Sequence, residues 1–144
     1  MKILKYPDKR LKLKARAIEA FDVDLLSLGN QMYELMRTKD GAGLAAPQVG
    51  ISQRFLVLEE RLLGHKIICN PTWEPTKGAL QHKKKEGCLS FPGLVFTVAR
   101  YDKISVEFQS ADGQAIAMEL EGFAAHVFQH EVDHLDGILS IDHI

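Results

Sequence analysis

The sequence predicts an α+β fold in a single domain spanning residues 1–144. Three observations carry that expectation. Leu25, Leu28, Met32, Leu35 and Met36 recur at helical spacing and set one helix. A second helical stretch opens at Gly122 and runs to about Leu135, with Gly137 placed to stop it. Around them lie short apolar runs separated by turn signals at Gly64, Lys77-Gly78 and Asp112-Gly113.

Taken in order, Tyr6-Pro7-Asp8 reads as a turn. Asp22 or Asp24 caps the first helix, which covers 24–38 and ends before Gly41. Residues 41–50 form an uncharged loop of small residues that lacks the lysine and the spacing of a phosphate loop. Its glycines either bring backbone close to a ligand or serve a tight packing turn. Residues 54–59 and 66–71 read as neighbouring buried strands, with Cys69 a small buried hydrophobe. Residues 72–76 and 79–85 suggest another extended pair about Lys77-Gly78. Strands follow at 95–99, 103–109 and 115–121, and Asp112-Gly113 joins the last two. A short strand at Ile138–Ile141 closes the chain.

Composition narrows the function classes. Apolar residues make up 46% and charged residues 26%, as in ordinary globular domains. A net charge of -1 argues against a nucleic-acid partner or a polybasic membrane contact. Lys83, Lys84 and Lys85 then read as a solvated face. The first residues lack the apolar stretch of a signal peptide, and no long apolar run spans a membrane. Two cysteines are too few for a disulfide framework, so a reducing, cytoplasmic setting is expected; separately, the chain is expected to act as a monomer.

The chemistry concentrates in Gln129-His130-Glu131-Val132-Asp133-His134. On a helix, His130 and His134 stack on one face about 6 Å apart along the axis, where they can grip one metal ion. Glu131 lies about 100° round from His130, within reach of water at that ion. H-E-x-x-H is the signature of a hydrolytic metal site with the Glu as general base. The plain alternative is a helix carrying two solvated histidines. His126 extends the ladder, but His126 and His134 are about 12 Å apart along the axis and cannot share an ion. Cys88, between Gly87 and Leu89 and ahead of Pro92-Gly93, is either an inert half-buried thiol or a soft metal ligand.

Three stretches occur in one order: Gly41-Ala42-Gly43-Leu44-Ala45-Ala46-Pro47-Gln48, Glu86-Gly87-Cys88-Leu89-Ser90, and the histidine helix. Together they resemble the peptide deformylase family, whose patterns are G-x-G-x-A-A-x-Q, E-G-C-L-S and Q-H-E-x-D-H. The opening Pro7-Asp8-x-Arg10-Leu11 is similar too, and the resemblance covers nearly the whole chain. It implies antiparallel sheets wrapped around the central H-E-x-x-H helix, with the 24–38 helix packed outside.

It also implies a site. Cys88, His130 and His134 would bind one divalent ion, ferrous iron in the cell, with zinc, nickel or cobalt suiting the same ligands. Glu131 would be the general base, and the Gln48 amide and Leu89 N–H would stabilise the oxyanion. Gly43 and Gly87 would flank an extended N-formylmethionyl peptide or nascent chain. Ala42, Phe123, His126 and Val127 are assigned to its methionine slot. The expected reaction is removal of the N-formyl group from the initiator methionine, with release of formate.

Departures from the family pattern carry expectations of their own. Val95 stands where some bacterial members have Arg, which would remove a polar contact to substrate backbone. Ala42 replaces a larger aliphatic and would widen the slot. Family members often continue into a basic C-terminal helix that helps ribosome docking. This chain stops ten residues after His134, so docking by that route is not expected. Compact members of this kind occur in phage genomes, so a bacterial or phage origin fits. Asp40 and Arg100 are expected to pair and brace the 41–48 loop. Two other readings are a general H-E-x-x-H endopeptidase, which would draw its third ligand from Asp136, Asp142 or His143, and a metal-binding module without turnover.

Overall fold

A computed structural model describes residues 1–144. Helix α1 (Val23–Thr38) is capped by Asp22, whose side chain accepts from the Leu25 N–H. Strand β1 (Gly43–Ala45) and a 3-10 turn (Ala46–Val49) follow, then β2 (Phe55–Leu58) and a single helical turn, α2 (Glu60–Leu63). Next come β3 (Ile67–Pro75), β4 (Gln81–Gly87), β5 (Val95–Tyr101), β6 (Lys103–Gln109) and β7 (Ala115–Glu121). Helix α3 (Gly122–Leu135) leaves β7 without a loop, and a 3-10 turn (Ser140–His143) ends the chain.

All strand pairs are antiparallel. Five strands make one sheet in the order β1-β2-β3-β6-β7, and β4-β5 stands apart as a two-stranded sheet. The expected α+β architecture is thus present, with α3 and α1 on opposite faces of the β1–β3 end. Strand β2 shows why. Its four residues are all buried, and they alternate. Leu56 and Leu58 join Val127, Phe128, Val132 and Leu135 of α3. Phe55 and Val57 join Met32, Tyr33 and Met36 of α1. Each such side chain stabilises the fold by about 1.5–3 kcal/mol on burial. Strand β2 reads as a continuous apolar run because both its faces are covered.

Two sequence expectations fail here. The segment 72–76 does not pair with 79–85. It continues β3 and pairs with β6, while β4 pairs with β5 in the register Glu86↔Phe96 and His82↔Arg100. The turn at Lys77-Gly78 links two sheets rather than two partners. The closing strand at Ile138–Ile141 is likewise absent. No strand pairs with that segment. Its apolar residues instead fold as a turn in which the Asp142 carboxylate accepts the Leu139 N–H, and Leu139 packs with Leu11 and Phe91. Gly137 stops α3 at φ +73, and a Cβ there would lie 2.3 Å from the Lys12 carbonyl oxygen.

Candidate metal centre

Helix α3 carries His130 and His134 on one face, and both are buried. Cys88 arrives from the turn after β4. The His134 Nε2 lies 3.4 Å from Cys88 Sγ, and one ligand atom from each of Cys88, His130 and His134 lies within 4.8 Å of the others. One sulfur and two imidazole nitrogens suit a borderline-soft divalent cation. Beside them the buried Glu131 Oε1 has no hydrogen-bond partner. An acceptor left open in such a place is what a proton-transferring carboxylate needs. The residues therefore fit a catalytic cation.

Protonation follows from position. Burial and the charges of His130 and Arg100 push His134 well below the ordinary imidazole range, so it is neutral and able to ligate. Burial pushes His130 the same way, but the Glu131 charge and the hydrogen bonds to Cys88 and Glu86 outweigh it and hold His130 well above that range. Binding a cation therefore displaces a proton from it. Glu131 is raised to about 7, mainly by burial.

Glu86 is the centre of a buried network. Its carboxylate accepts from Arg100 Nε (3.0 Å) and from a second Arg100 nitrogen (2.9 Å). It also accepts from His126 Nε2 (2.8 Å), His130 Nδ1 (2.7 Å) and Ser140 Oγ (2.6 Å). Burial opposes ionisation, but the hydrogen bonds from His126, His130 and Arg100 outweigh it and hold the carboxyl far below its ordinary range. Being ionised, it can only accept, so His130 keeps a proton on Nδ1, and Nε2 is the nitrogen that gives up its proton when a cation binds. Arg100 also donates to Asp133 (2.6 Å), and His143 Nε2 sits 2.8 Å from the same carboxylate oxygen. The expected pairing of Arg100 with Asp40 is therefore wrong. Arg100 points inward from β5, whereas Asp40 is exposed at the end of α1.

The other expected residues fall as follows. Gln48 is buried; its Oε1 accepts the Ala45 N–H and its Nε2 donates to Ser90 Oγ (3.0 Å), 3.6 Å from Cys88 Sγ. The Leu89 N–H donates to no protein acceptor. Strand β1 pairs only with β2. Since Ala42 O accepts from Glu59 on the β2 side and the Ala45 N–H turns to Gln48, the Gly43 N–H and C=O lie on the open edge. A Cβ at Gly43 would lie 2.7 Å from Glu131 Oε2, so only glycine admits the carboxylate. Gly87 ends β4, paired with Val95. Val127 is buried, Ala42 half-buried and Phe123 exposed. His126 turns its Nε2 edge to Glu86.

Glu86, Ser140 and the true partner of Arg100 escape the sequence reading. The one available signal was Glu86 itself, an acid closing a run of three lysines directly ahead of Gly87-Cys88. Asp136, Asp142 and His143, the third ligands an endopeptidase reading needs, are bound to Arg54, Lys12 and Asp133.

Comparison with known proteins agrees with this geometry. The family model described as polypeptide deformylase matches residues 1–144. Peptide deformylase of Thermotoga maritima is 42% identical over 139 residues, covering 96% of this chain and 84% of that protein. The chloroplastic peptide deformylase 1B of Oryza sativa is 40% identical over 99% of this chain, which spans 54% of the length of that relative. The crystal structure of the Thermotoga maritima enzyme matches with a TM-score of 0.92 at 40% identity, over 99% of this chain and 96% of that one. That of the Synechococcus elongatus peptide deformylase in complex with actinonin gives 0.93 at 33% identity, over 100% and 78%. A match that runs from the first residue to the last, with the same fold beneath it, settles the affiliation: this chain belongs to the polypeptide deformylase family.

Proposed function

We propose that this chain removes the N-formyl group from the initiator methionine of newly made polypeptides, releasing formate. The observation that carries the reading is the convergence of Cys88, His130 and His134 beside the partnerless Glu131 Oε1. These three residues would hold one divalent ion, ferrous iron in the cell, with zinc, nickel or cobalt suiting the same donors. Bound there, the ion supplies Lewis acidity that acidifies water and polarises a carbonyl.

The residues do the rest. Glu131 Oε1 takes the proton of the attacking water and returns it to the departing amine. Gln48 Nε2 and the Leu89 N–H stabilise the negative charge that develops on the formyl oxygen. The open edge of β1 at Gly43 pairs with an extended peptide backbone, with Gly87 on the opposite wall. Ala42, Phe123, His126 and Val127 border the methionine side chain. No helix is long and apolar enough to cross a membrane. We assign the activity to the cytoplasm, on formylmethionyl peptides or nascent chains, by a monomer.

The test is direct. Protein loaded anaerobically with Fe2+ releases formate from formyl-Met-Ala-Ser and leaves casein intact, and Cys88→Ala abolishes both metal retention and formate release. Casein cleavage, or no formate from loaded protein, overturns the reading.

Two variants refine it. Gln48→Ala lowers kcat by about 10²–10³-fold at unchanged metal content, the usual cost of losing one oxyanion donor. Gly43→Ala forces the Glu131 carboxylate aside, because the added methyl would sit 2.8 Å from Glu131 Cγ and 2.9 Å from Leu58 Cδ2. Displacement on that scale lowers kcat/KM by about 10²-fold. Steady-state kinetics with metal analysis checks both.

A further inference from the structure

We propose that Ser140 and His126 are positioning residues for the metal site, acting through Glu86 to hold His130 with Nε2 presented as the ligand atom. The inference rests on the metal-site reading above and concerns two side chains that reading gives no part in metal binding.

The argument is geometric. Glu86 meets donors from three separate elements. Arg100 reaches it from β5, His126 from one turn before His130 on α3, and Ser140 from the turn after α3. His126 binds Oε1 and Ser140 binds Oε2, so the two lie on opposite oxygens. With the Arg100 pair and His130, five donors meet a carboxylate that has about four lone-pair sites. All the groups are buried; Ser140 is 2% exposed and Glu86 7%. A carboxylate gripped on both oxygens cannot swing, and its Oε2 fixes the direction of the His130 Nδ1–H bond. The ring is rigid, so fixing Nδ1 fixes Nε2. The Ser140 Oγ is also 3.4 Å from His130 Nδ1 and walls the ring on that side. Arg100 sets a full positive charge against Glu86. What Ser140 and His126 add is direction.

Glu86→Gln would present an amide NH2 to facing donors and risks unfolding the site, so the milder variants decide. Ser140→Ala, His126→Ala and the double variant are titrated with Co2+, the dissociation rate is followed by chelator competition, and the imidazole nitrogens of the Zn2+-loaded proteins are read by 15N NMR. The expected result is a loss of Co2+ affinity of about tenfold for each single variant and more for the pair, through faster dissociation. His130 then shows a second tautomer absent from the parent protein, and Ser140→Thr, which keeps the hydroxyl, stays near the parent value. Affinities within twofold of the parent, with the Nδ1–H tautomer unchanged in the double variant, overturn the inference and leave both residues as satisfied core polar groups. If the parent itself fails to bind Co2+, the reading of the metal site falls instead.

Discussion

Glu131→Gln abolishes most turnover and, in the metal-free protein, raises stability. In the loaded enzyme kcat for formyl-Met-Ala-Ser falls by about 10²–10⁴-fold, the usual contribution of a positioned general base. Metal content stays at one ion, because glutamine leaves Cys88, His130 and His134 in place. The stability effect follows from linkage. Burial raises the Glu131 carboxyl from its ordinary 4.5 to about 7 in the fold. Below pH 4.5 it is protonated both folded and unfolded and contributes nothing. Between about 4.5 and 7 the unfolded chain releases the proton while the fold retains it, so stability falls as pH rises. Above 7 the full cost of a buried charge remains, on the order of 3 kcal/mol at 1.36 kcal/mol per tenfold change in proton affinity. Glutamine mimics the neutral acid at every pH. Urea unfolding of the metal-free variant should therefore match the parent near pH 4.5 and exceed it by about 3 kcal/mol at pH 8. An equal difference at both pH values would show that Glu131 is not desolvated by the fold.

Arg100→Met destabilises the protein by about 3–5 kcal/mol, which is the penalty for leaving buried carboxylates without their cation. Arg100 is 5% exposed and binds Glu86 through two nitrogens and Asp133 through a third contact. Its removal leaves Glu86 and Asp133 without a guanidinium, held only by histidine and serine partners. A drop on the order of 10 °C in the thermal midpoint accompanies it for a domain of this size. Calorimetry of the metal-free protein decides. A loss below 1 kcal/mol, the scale of a surface ion pair, would contradict the buried network. Asp40→Ala, by contrast, changes stability little, since Asp40 is exposed and has no bond to Arg100.

Both expectations turn on contacts that differ in how far the sequence announces them. The placing of Glu131 beside the two histidines was readable from five consecutive residues, because a helix fixes the relation of His130, Glu131 and His134 at a separation of four positions. The stripe of α1 and the alternation along β6 were readable for the same reason. They are local periods, and each states which face is buried. The β4-β5 pairing was misjudged because strand pairing is long-range. Nothing within 79–85 says whether its partner lies at 72–76 or 95–101. That choice also decides Arg100, since the observed register sets Glu86 and Arg100 on one inward face of the hairpin.

The segment after α3 fails for a different reason. Ile138, Leu139 and Ile141 look like a strand by residue type, yet their conformation is decided by what they meet. Ser140 finds Glu86, His143 finds Asp133, and Leu139 fills a gap against Leu11 and Phe91. Propensity is a weak prior when three tertiary contacts act on the five residues from Leu139 to His143.

By itself, then, the chain's order of residues determined the helical and extended periods, the two-histidine metal motif and the membership of a family. Only the folded protein decided which carboxylate steadies His130, which partner neutralises Arg100, and that Gly43 must lack a side chain so that Glu131 can fit. Periods are written in neighbouring residues. Partners of buried charges are set by register and packing between segments dozens of positions apart, where residue type alone leaves many pairings open.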